Sequence, residues 1–399
     1  MKITEVKYVI CQGGIRNWSL IKISTDKGIV GWGDATAFNR APVRAKVIEF
    51  FEPMLIGEDP FNIEKIWQKL YIRSYVTGKD LNLALSGVET ALWDIVGKAL
   101  NTPVYNLIGG RCRDKIKLYF DYCDGYGEGF CGTDTWHKGD TSLEGIAKQA
   151  KHIKDQNFTA LKLHPVGLPP RPAVTRTASL KSINDTVEKV KVVREVVGDE
   201  FEICMVVNGQ LDVHSSIRLA KALEPYKLMF LEDPVRQDES PMSYRRIKET
   251  TSTPIGVGEN LYNVWAFRNY LEIGAIDAVL LDVVHCGGVL QARKIAALAE
   301  AYHVPIAPHN PNSPLATIIS AHFCASIPNL LALEYYNEER EPLWRDKIID
   351  PPLKIVNGYL ELPTGPGWGV EIIEEEVAKH PFQFVYDGLK NNWEGFKFK

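Results

Sequence analysis

The sequence predicts an α/β fold, a (β/α)8-type (modified TIM) barrel with an α+β capping domain; a doubly wound open sheet is the alternative reading of the same periodicity. Three observations lead there. From Lys117 onward, eight short apolar runs alternate with stretches of helical periodicity, the rhythm of parallel strands covered on both faces. The first ~115 residues instead combine strand-like alternation with amphipathic helices. Charged or imidazole side chains close six of the eight runs, where a barrel strand should be apolar.

The elements follow in order. Alternation through Ile3–Ile10 and Leu20–Ser24, the turn Thr25-Asp26-Lys27-Gly28 and then Ile29–Gly33 predict a meander. Helical periodicity marks Ala41–Phe51, Ile63–Ile72 and Leu81–Ala99, the last with Leu83, Val88, Ala91, Leu92, Ile95 and Val96 on one face. The barrel strands are predicted at Leu118–Tyr122, Ala160–Pro165, Glu202–Asn208, Met229–Pro234, Pro254–Glu259, Ala278–Val283, Pro305–Asn310 and Leu331–Tyr336. Between them, Thr141 and Glu144 have the spacing of a capping box opening Leu143–Gln156. Ser182–Val197 stops at Gly198, a C-cap residue. The glycine-rich stretch Gly125–Gly139 and the Pro- and Arg-rich Pro165–Ser179 follow the first two strands, on the face where barrels build active sites. Surface insertion is the competing reading of both. The tail, with Leu360–Leu362 and Gly365-Pro366-Gly367-Trp368-Gly369, is expected to pack back on the barrel or the first domain. The expected division is a capping domain at 1–115, completed by about 356–399, and a catalytic barrel at 116–355.

Composition narrows the class. The 399 residues hold 46 basic and 50 acidic side chains, for a net charge of −4. Bulk charge therefore gives no pull toward nucleic acid. No run approaches the ~18 apolar residues of a membrane span, and the opening MKITEVKYVI lacks a secretory leader's apolar core. Seven scattered cysteines (Cys11, Cys112, Cys123, Cys131, Cys204, Cys286, Cys324) contain no CxxC pair. They read as reduced thiols of a cytoplasmic protein.

The strand ends carry the chemistry. They are Lys162 and His164 on the second run, Glu232 on the fourth, Glu259 on the fifth, Asp282 on the sixth, His309 on the seventh and Glu334 on the eighth. Taken alone, Glu232, Glu259, Asp282, Lys162, Glu334 and His309 each read more readily as an ion-paired or hydrogen-bonded strand-end residue. A barrel, however, gathers all of them on one rim. Glu232 and Glu259 would repel one another there, and a hard divalent cation with oxygen ligands, Mg²⁺, relieves that repulsion. Asp282 beside His309 makes a dyad in which the carboxylate orients and strengthens the imidazole base.

The motifs Glu89–Gly97 (ETALWDIVG), Leu107-Ile108-Gly109-Gly110, Leu231-Glu232-Asp233-Pro234, Gly258-Glu259-Asn260, Asp282 with Gly287-Gly288, and Pro308-His309 resemble the enolase superfamily, in its mandelate-racemase-like group. The strand-six and strand-seven stretches, Asp282–Gly288 and Ala307–Pro314, are most similar to gluconate- and galactonate-type acid-sugar dehydratases. The resemblance implies Mg²⁺ held by Glu232 and Glu259, with His309 as base, oriented by Asp282. It implies Glu334 on the substrate carboxylate and Lys162 as a cation beside it. A homo-oligomer is implied as well.

Two positions depart from the group's pattern. His164 stands where racemases of the group carry a second Lys base, which shifts the reading toward one-base dehydration, with His164 free to contact substrate or leaving group. The Asp-x-Asn of strand three is Val206-Val207-Asn208, so the first metal ligand is missing. Asp212-Val213-His214 is an alternative source, but Asp212 lies only 20 residues before Glu232, too few for a βα unit, whereas Val206 lies 26 before it. Three readings of Val206 stand: weak Mg²⁺ binding completed by water or by Asn208, an inactive homologue, or a chain altered at this position. The expected function is a Mg²⁺-dependent acid-sugar dehydratase acting on a small acid sugar, with no nucleic-acid or membrane partner. A hydroxy-acid racemase or epimerase, or a non-catalytic sugar-acid-binding homologue, are the alternatives.

Overall fold

A computed structural model describes residues 1–14, 16–37, 40–74, 78–122, 142–164, 168, 175–237, 240–336 and 344–383. Residues 125–139 lie outside the described residues, as does most of 165–179. The alternating N-terminal segment forms an antiparallel sheet ordered β1 (Ile3–Gly13), β2 (Arg16–Thr25), β3 (Val30–Asp34). Helices α1 (Ala41–Leu55), α2 (Ile63–Ser74) and α3 (Lys79–Ala99) follow. Ile21 and Ile23 of the sheet share one buried core with Phe51, Trp67, Leu83 and Leu92 of the helices. The closest approach is β3 on α3. A Cβ placed on Gly33 would sit 2.0 Å from the Gly87 carbonyl oxygen and 2.6 Å from the Ala91 nitrogen. Glycine at 33 is thus required for backbone-to-backbone packing. A short helix α4 (Val104–Leu107) leads to the barrel.

The barrel strands are β4 (Lys115–Tyr122), β5 (Ala160–Leu163), β6 (Glu202–Val206), β7 (Phe230–Glu232), β8 (Ile255–Val257), β9 (Ala278–Val279) and β10 (Leu333–Tyr336). Consecutive strands from β4 to β9 pair in parallel, and β10 pairs in parallel with the free side of β4. The helices on the outside are α5 (Leu143–Asp155), α6 (Leu180–Val197), α7 (Val213–Leu223), α8 (Pro241–Lys248), α9 (Asn263–Glu272), α10 (Val289–Ala301) and α11 (Pro314–Ser326).

The ring closes differently from the prediction. The seventh apolar run, Pro305–Asn310, forms no continuous strand: isolated parallel bridges join Ile306 to Val279 and to Leu330, and the Ala307 and His309 N–H groups donate to the Val279 and Leu281 carbonyls at 2.9 and 3.1 Å. Pro305 and Pro308 have no N–H to give to a ladder, which accounts for the loss of regular pairing. Other strands end earlier than predicted, so that Asp282 and Glu259 lie just past β9 and β8. The eighth strand is followed by a 3-10 turn at Arg345–Ile348 and, among the described residues, by no barrel helix. Ser142 caps α5, accepting from the Gly145 N–H at 3.1 Å, so Glu144 falls one position short of a capping box; Thr141 lies outside the described residues. Gly198 ends α6 at φ 85°, as its sequence position suggested.

The tail joins both bodies. Strand β11 (Ile349–Asp350) pairs with β14 (Glu371–Ile372), and α12 (Glu374–Ala378) follows. Between them β12 (Ile355–Val356) and β13 (Tyr359–Glu361) form a hairpin that adds antiparallel to the start of β4, with Leu360 opposite Ile116. Trp368 then reaches the capping sheet, donating its indole N–H to the Trp32 carbonyl at 3.0 Å, while its backbone N–H meets Asp94 at 3.0 Å. No helix among the described residues is long and apolar enough to cross a membrane. Cys11, Cys112, Cys204, Cys286 and Cys324 are free thiols, and Cys123 and Cys131 lie outside the described residues.

Gly33→Ala forces β3 off α3. We expect it to cost about 2–3 kcal/mol and to lower the melting temperature by about 5 °C. Val43→Ala, at an exposed position of α1, serves as the control and should shift melting by less than about 1 °C. Differential scanning calorimetry reads both.

Candidate active site

Inside the barrel, Tyr119, Ala160, Cys204, Phe230, Ala278, Leu280, Ala307 and Ala332 form a separate buried cluster, a plug with one or two residues from each contributing segment. Side chains return to the same face of a strand every second residue. Two residues beyond the plug stand Asp121, Lys162, Val206, Glu232, Asp282, His309 and Glu334, all buried. That tier is the candidate active site, and Val206 is its one apolar side chain. The β8 position is Gly258, at φ 156°, where a Cβ would lie 2.7 Å from the Leu280 carbonyl carbon. The backbone must pass close by there, so this strand's carboxylate comes from the next residue, Glu259.

His309 and Asp282 form the predicted dyad, with Nδ1 2.7 Å from Asp282 Oδ2. Asp282 is held in turn by Asn312 Nδ2 at 2.8 Å and by the Val284 N–H at 3.0 Å. The other ring nitrogen of His309, Nε2, lies 2.9 Å from Glu259 Oε2. Burial alone would lower the imidazole pKa, but Glu259, Glu334 and Asp282 outweigh it and hold it well above the ordinary value.

Lys162 links the other side of the rim. Its ammonium pairs with Glu334, lies 3.3 Å from Glu232 Oε2 and reaches Asp121 Oδ2 at 4.0 Å. Burial disfavours its charge, yet these carboxylates raise its pKa well above the ordinary lysine value. The second oxygen of Glu334 accepts the Asn310 N–H at 2.8 Å. His164 lies beside this group, its Nε2 2.9 Å from Asp121 Oδ1. The rim therefore carries two His–Asp pairs. Asp121 escaped the sequence reading. The signal was available, because Asp121 ends the first apolar run in register with Lys162.

The residues fit a hard cation. Ligand atoms of Glu232, Asp233 and Glu259 lie within 4.8 Å of one another. Neither Glu232 oxygen, nor Asp233 Oδ1, accepts a hydrogen bond, although all are buried. Lys162 offsets part of the Glu232 charge through Oε2, but buried carboxylate oxygens that accept no hydrogen bond stay costly unless a cation completes them. Burial pushes the Glu232 carboxyl up to about 7, against the lowering effect of Lys162 and with a further rise from Glu334 and Glu259. An all-oxygen donor set suits Mg²⁺. Val206 stands directly opposite Glu232 in the β6–β7 register, so the ligand that the third strand would supply is replaced by methyl groups. Asp212 is no substitute. It is the N-cap of α7, accepting the Ser215 N–H at 2.7 Å. Asn208 lies two residues past Val206, half-buried, at φ 56°.

The capping domain reaches the rim from above. Arg16 Nη1 donates to Asn312 Oδ1 at 3.2 Å, Lys79 Nζ to Asn260 Oδ1 at 2.8 Å, and Ser313 pairs with Asp34. His285, not singled out in the sequence, bridges the Thr36 carbonyl of the cap at 2.9 Å and the Glu259 carbonyl at 3.2 Å.

Comparison with known proteins identifies the family. A model of the mandelate racemase / muconate lactonizing enzyme N-terminal domain matches residues 10–109, and an enolase C-terminal domain-like model matches residues 145–377. The chain is 33% identical over 386 residues to a D-xylonate dehydratase of Haloferax volcanii, covering 95% of this chain and 89% of the relative. It is 35% identical over 368 residues to a D-galactonate dehydratase of Cronobacter sakazakii, covering 90% of each. Among solved structures, a candidate L-alanine-DL-glutamate epimerase of Burkholderia xenovorans, bound to magnesium and fumarate, superposes with a TM-score of 0.88 at 26% identity over 98% of both chains. The chain thus belongs to the mandelate racemase / muconate lactonizing enzyme family of the enolase superfamily.

Proposed function

We propose that the chain is an acid-sugar dehydratase, a carbon–oxygen lyase. It takes the proton next to the carboxylate of an aldonate-type sugar acid and expels the β-hydroxyl as water, leaving a 2-keto-3-deoxy acid. The observation that carries the reading is the pair of His–Asp dyads flanking Lys162 on one buried rim. The D-xylonate and D-galactonate dehydratases among its relatives support the substrate class.

The roles follow from the geometry. His309 Nε2 lies on the side of the ring away from Asp282, 2.9 Å from Glu259; with Glu259 engaged by the cation, it would be the base for the proton at C2. The dyad partner keeps Nδ1 protonated and steadies the imidazolium that results. Lys162 stabilises the negative charge that grows on the substrate carboxylate. Glu334, paired with Lys162, holds that ammonium in place beside the substrate carboxylate; burial, opposed by Lys162 and His309, raises the Glu334 pKa. Glu232 and Glu259 would hold Mg²⁺, which when bound supplies further positive charge to the same carboxylate oxygens. His164, oriented by Asp121, is the acid that protonates the departing hydroxyl. The C2 proton ends on His309, the hydroxyl leaves as water with a proton from His164, and the enol so formed becomes the ketone as C3 takes up a proton and the C2 hydroxyl releases one to water.

The second dyad also favours a competing reading. Two imidazole bases on one rim could exchange the α-proton on opposite faces, as an epimerase does. Semicarbazide detection of keto acids across a panel of aldonates, with Mg²⁺ present, separates the two. The dehydratase reading expects a keto acid from at least one aldonate, and proton exchange without keto product would overturn it.

Two variants sharpen the assignment. His309→Asn should lower kcat by at least about 10³-fold and abolish exchange of the C2 proton with D₂O. Asp121→Asn, which disorients His164, should lower keto-acid formation by about 10²-fold while leaving C2 exchange in place. Mass spectrometry of substrate recovered from D₂O reads both.

A further inference from the structure

We infer that Asp233 is a protein ligand of the metal in this chain, taking the role that Val206 leaves open. The inference rests on the proposed Mg²⁺ reading of Glu232 and Glu259. In a regular strand the residue after Glu232 would point to the outside of the barrel. Asp233 instead has φ 45°, a left-handed conformation uncommon for a non-glycine residue. The turn breaks the alternation, and two successive carboxylates, Glu232 and Asp233, fall in one cluster with Glu259.

The neighbouring backbone fixes that turn. The Gly209 N–H donates to the Asp233 carbonyl at 2.7 Å, and the Asp233 N–H donates to the Gly256 carbonyl at 3.1 Å. The side chain is fixed as well. Gln237 Nε2 holds Asp233 Oδ2. The Gln237 amide oxygen accepts the Asn260 N–H at 3.0 Å, and its backbone carbonyl accepts the Tyr270 hydroxyl at 2.6 Å. One oxygen of Asp233 is therefore anchored. The other, Oδ1, is buried and accepts no hydrogen bond, like both oxygens of Glu232. An anchored carboxylate with its second oxygen bare, beside two more carboxylates, is built as a cation ligand supported from behind. The chain thus keeps three carboxylates for its cation although strand three contributes none.

The test is metal binding by the full chain, independent of turnover. Mn²⁺ is titrated into the EDTA-treated protein, and the electron paramagnetic resonance signal of the free ion is followed. The inference expects one ion per chain. Asp233→Asn should weaken binding at least tenfold, and adding Val206→Asp to that variant should restore most of it. An Asp233→Asn protein that binds like the parent overturns the inference and leaves the Glu232 and Glu259 assignment standing. A parent chain that binds no Mn²⁺ overturns both. Should Asp233→Asn fail to fold by circular dichroism, anomalous scattering from Mn²⁺-soaked crystals of the parent decides. An ion about 2.1 Å from Asp233 Oδ1 is expected, and one ligated by Glu232 and Glu259 alone overturns the inference.

Discussion

A ring of charge buried above an apolar plug governs this molecule. Each barrel strand is too short to offer more than one inward side chain at that height, and six of the seven side chains in the tier are ionisable. None can hydrate freely, so each must be neutralised by a neighbour in the ring. Lys162 shares its charge among Glu334, Glu232 and Asp121, and His309 is set between Asp282 and Glu259. Four carboxylates on the rim, with Glu259 and Asp233 just past it, still exceed one lysine and two imidazoles. That excess is the physical basis for expecting a divalent cation.

The cap and the tail make sense against that ring. The charged tier keeps its low-dielectric surroundings only if something covers it, and Arg16, Lys79, Asp34 and Thr36 of the cap bond directly to the segments that present Asn312, Asn260, Ser313 and His285. Trp368, bonded to Trp32 and to Asp94, ties the chain's last described stretch to the same cap. The close β3–α3 packing that Gly31 and Gly33 permit gives the cap a firm base for these contacts.

Much of this was legible in the sequence, because the strand period and the helical period leave distinct patterns. The eight apolar runs and the polar residues at their ends located the rim, and six of those polar ends are gathered there. The rest depended on information that a single run does not carry. The loss of a seventh strand follows from Pro305 and Pro308, whose missing N–H groups outweigh the apolar pattern around them. Asp121 was hidden because an aspartate after Leu-Tyr-Phe looks like an ordinary strand end until His164 is seen against it. Asp233 was hidden more deeply, since only a positive φ brings it to the side of Glu232. The missing carboxylate at Val206 was plain from spacing, and the β6–β7 register now places its methyl groups directly opposite Glu232.

The central claim is that this buried ring drives loss of water from an acid sugar. The most direct measurement is proton NMR of an aldonate incubated with the full chain and Mg²⁺ in D₂O. The account predicts that the C2 proton signal disappears while a C3 methylene carrying one deuterium emerges in a keto acid. Deuterium entering C2 with no keto acid formed would contradict it.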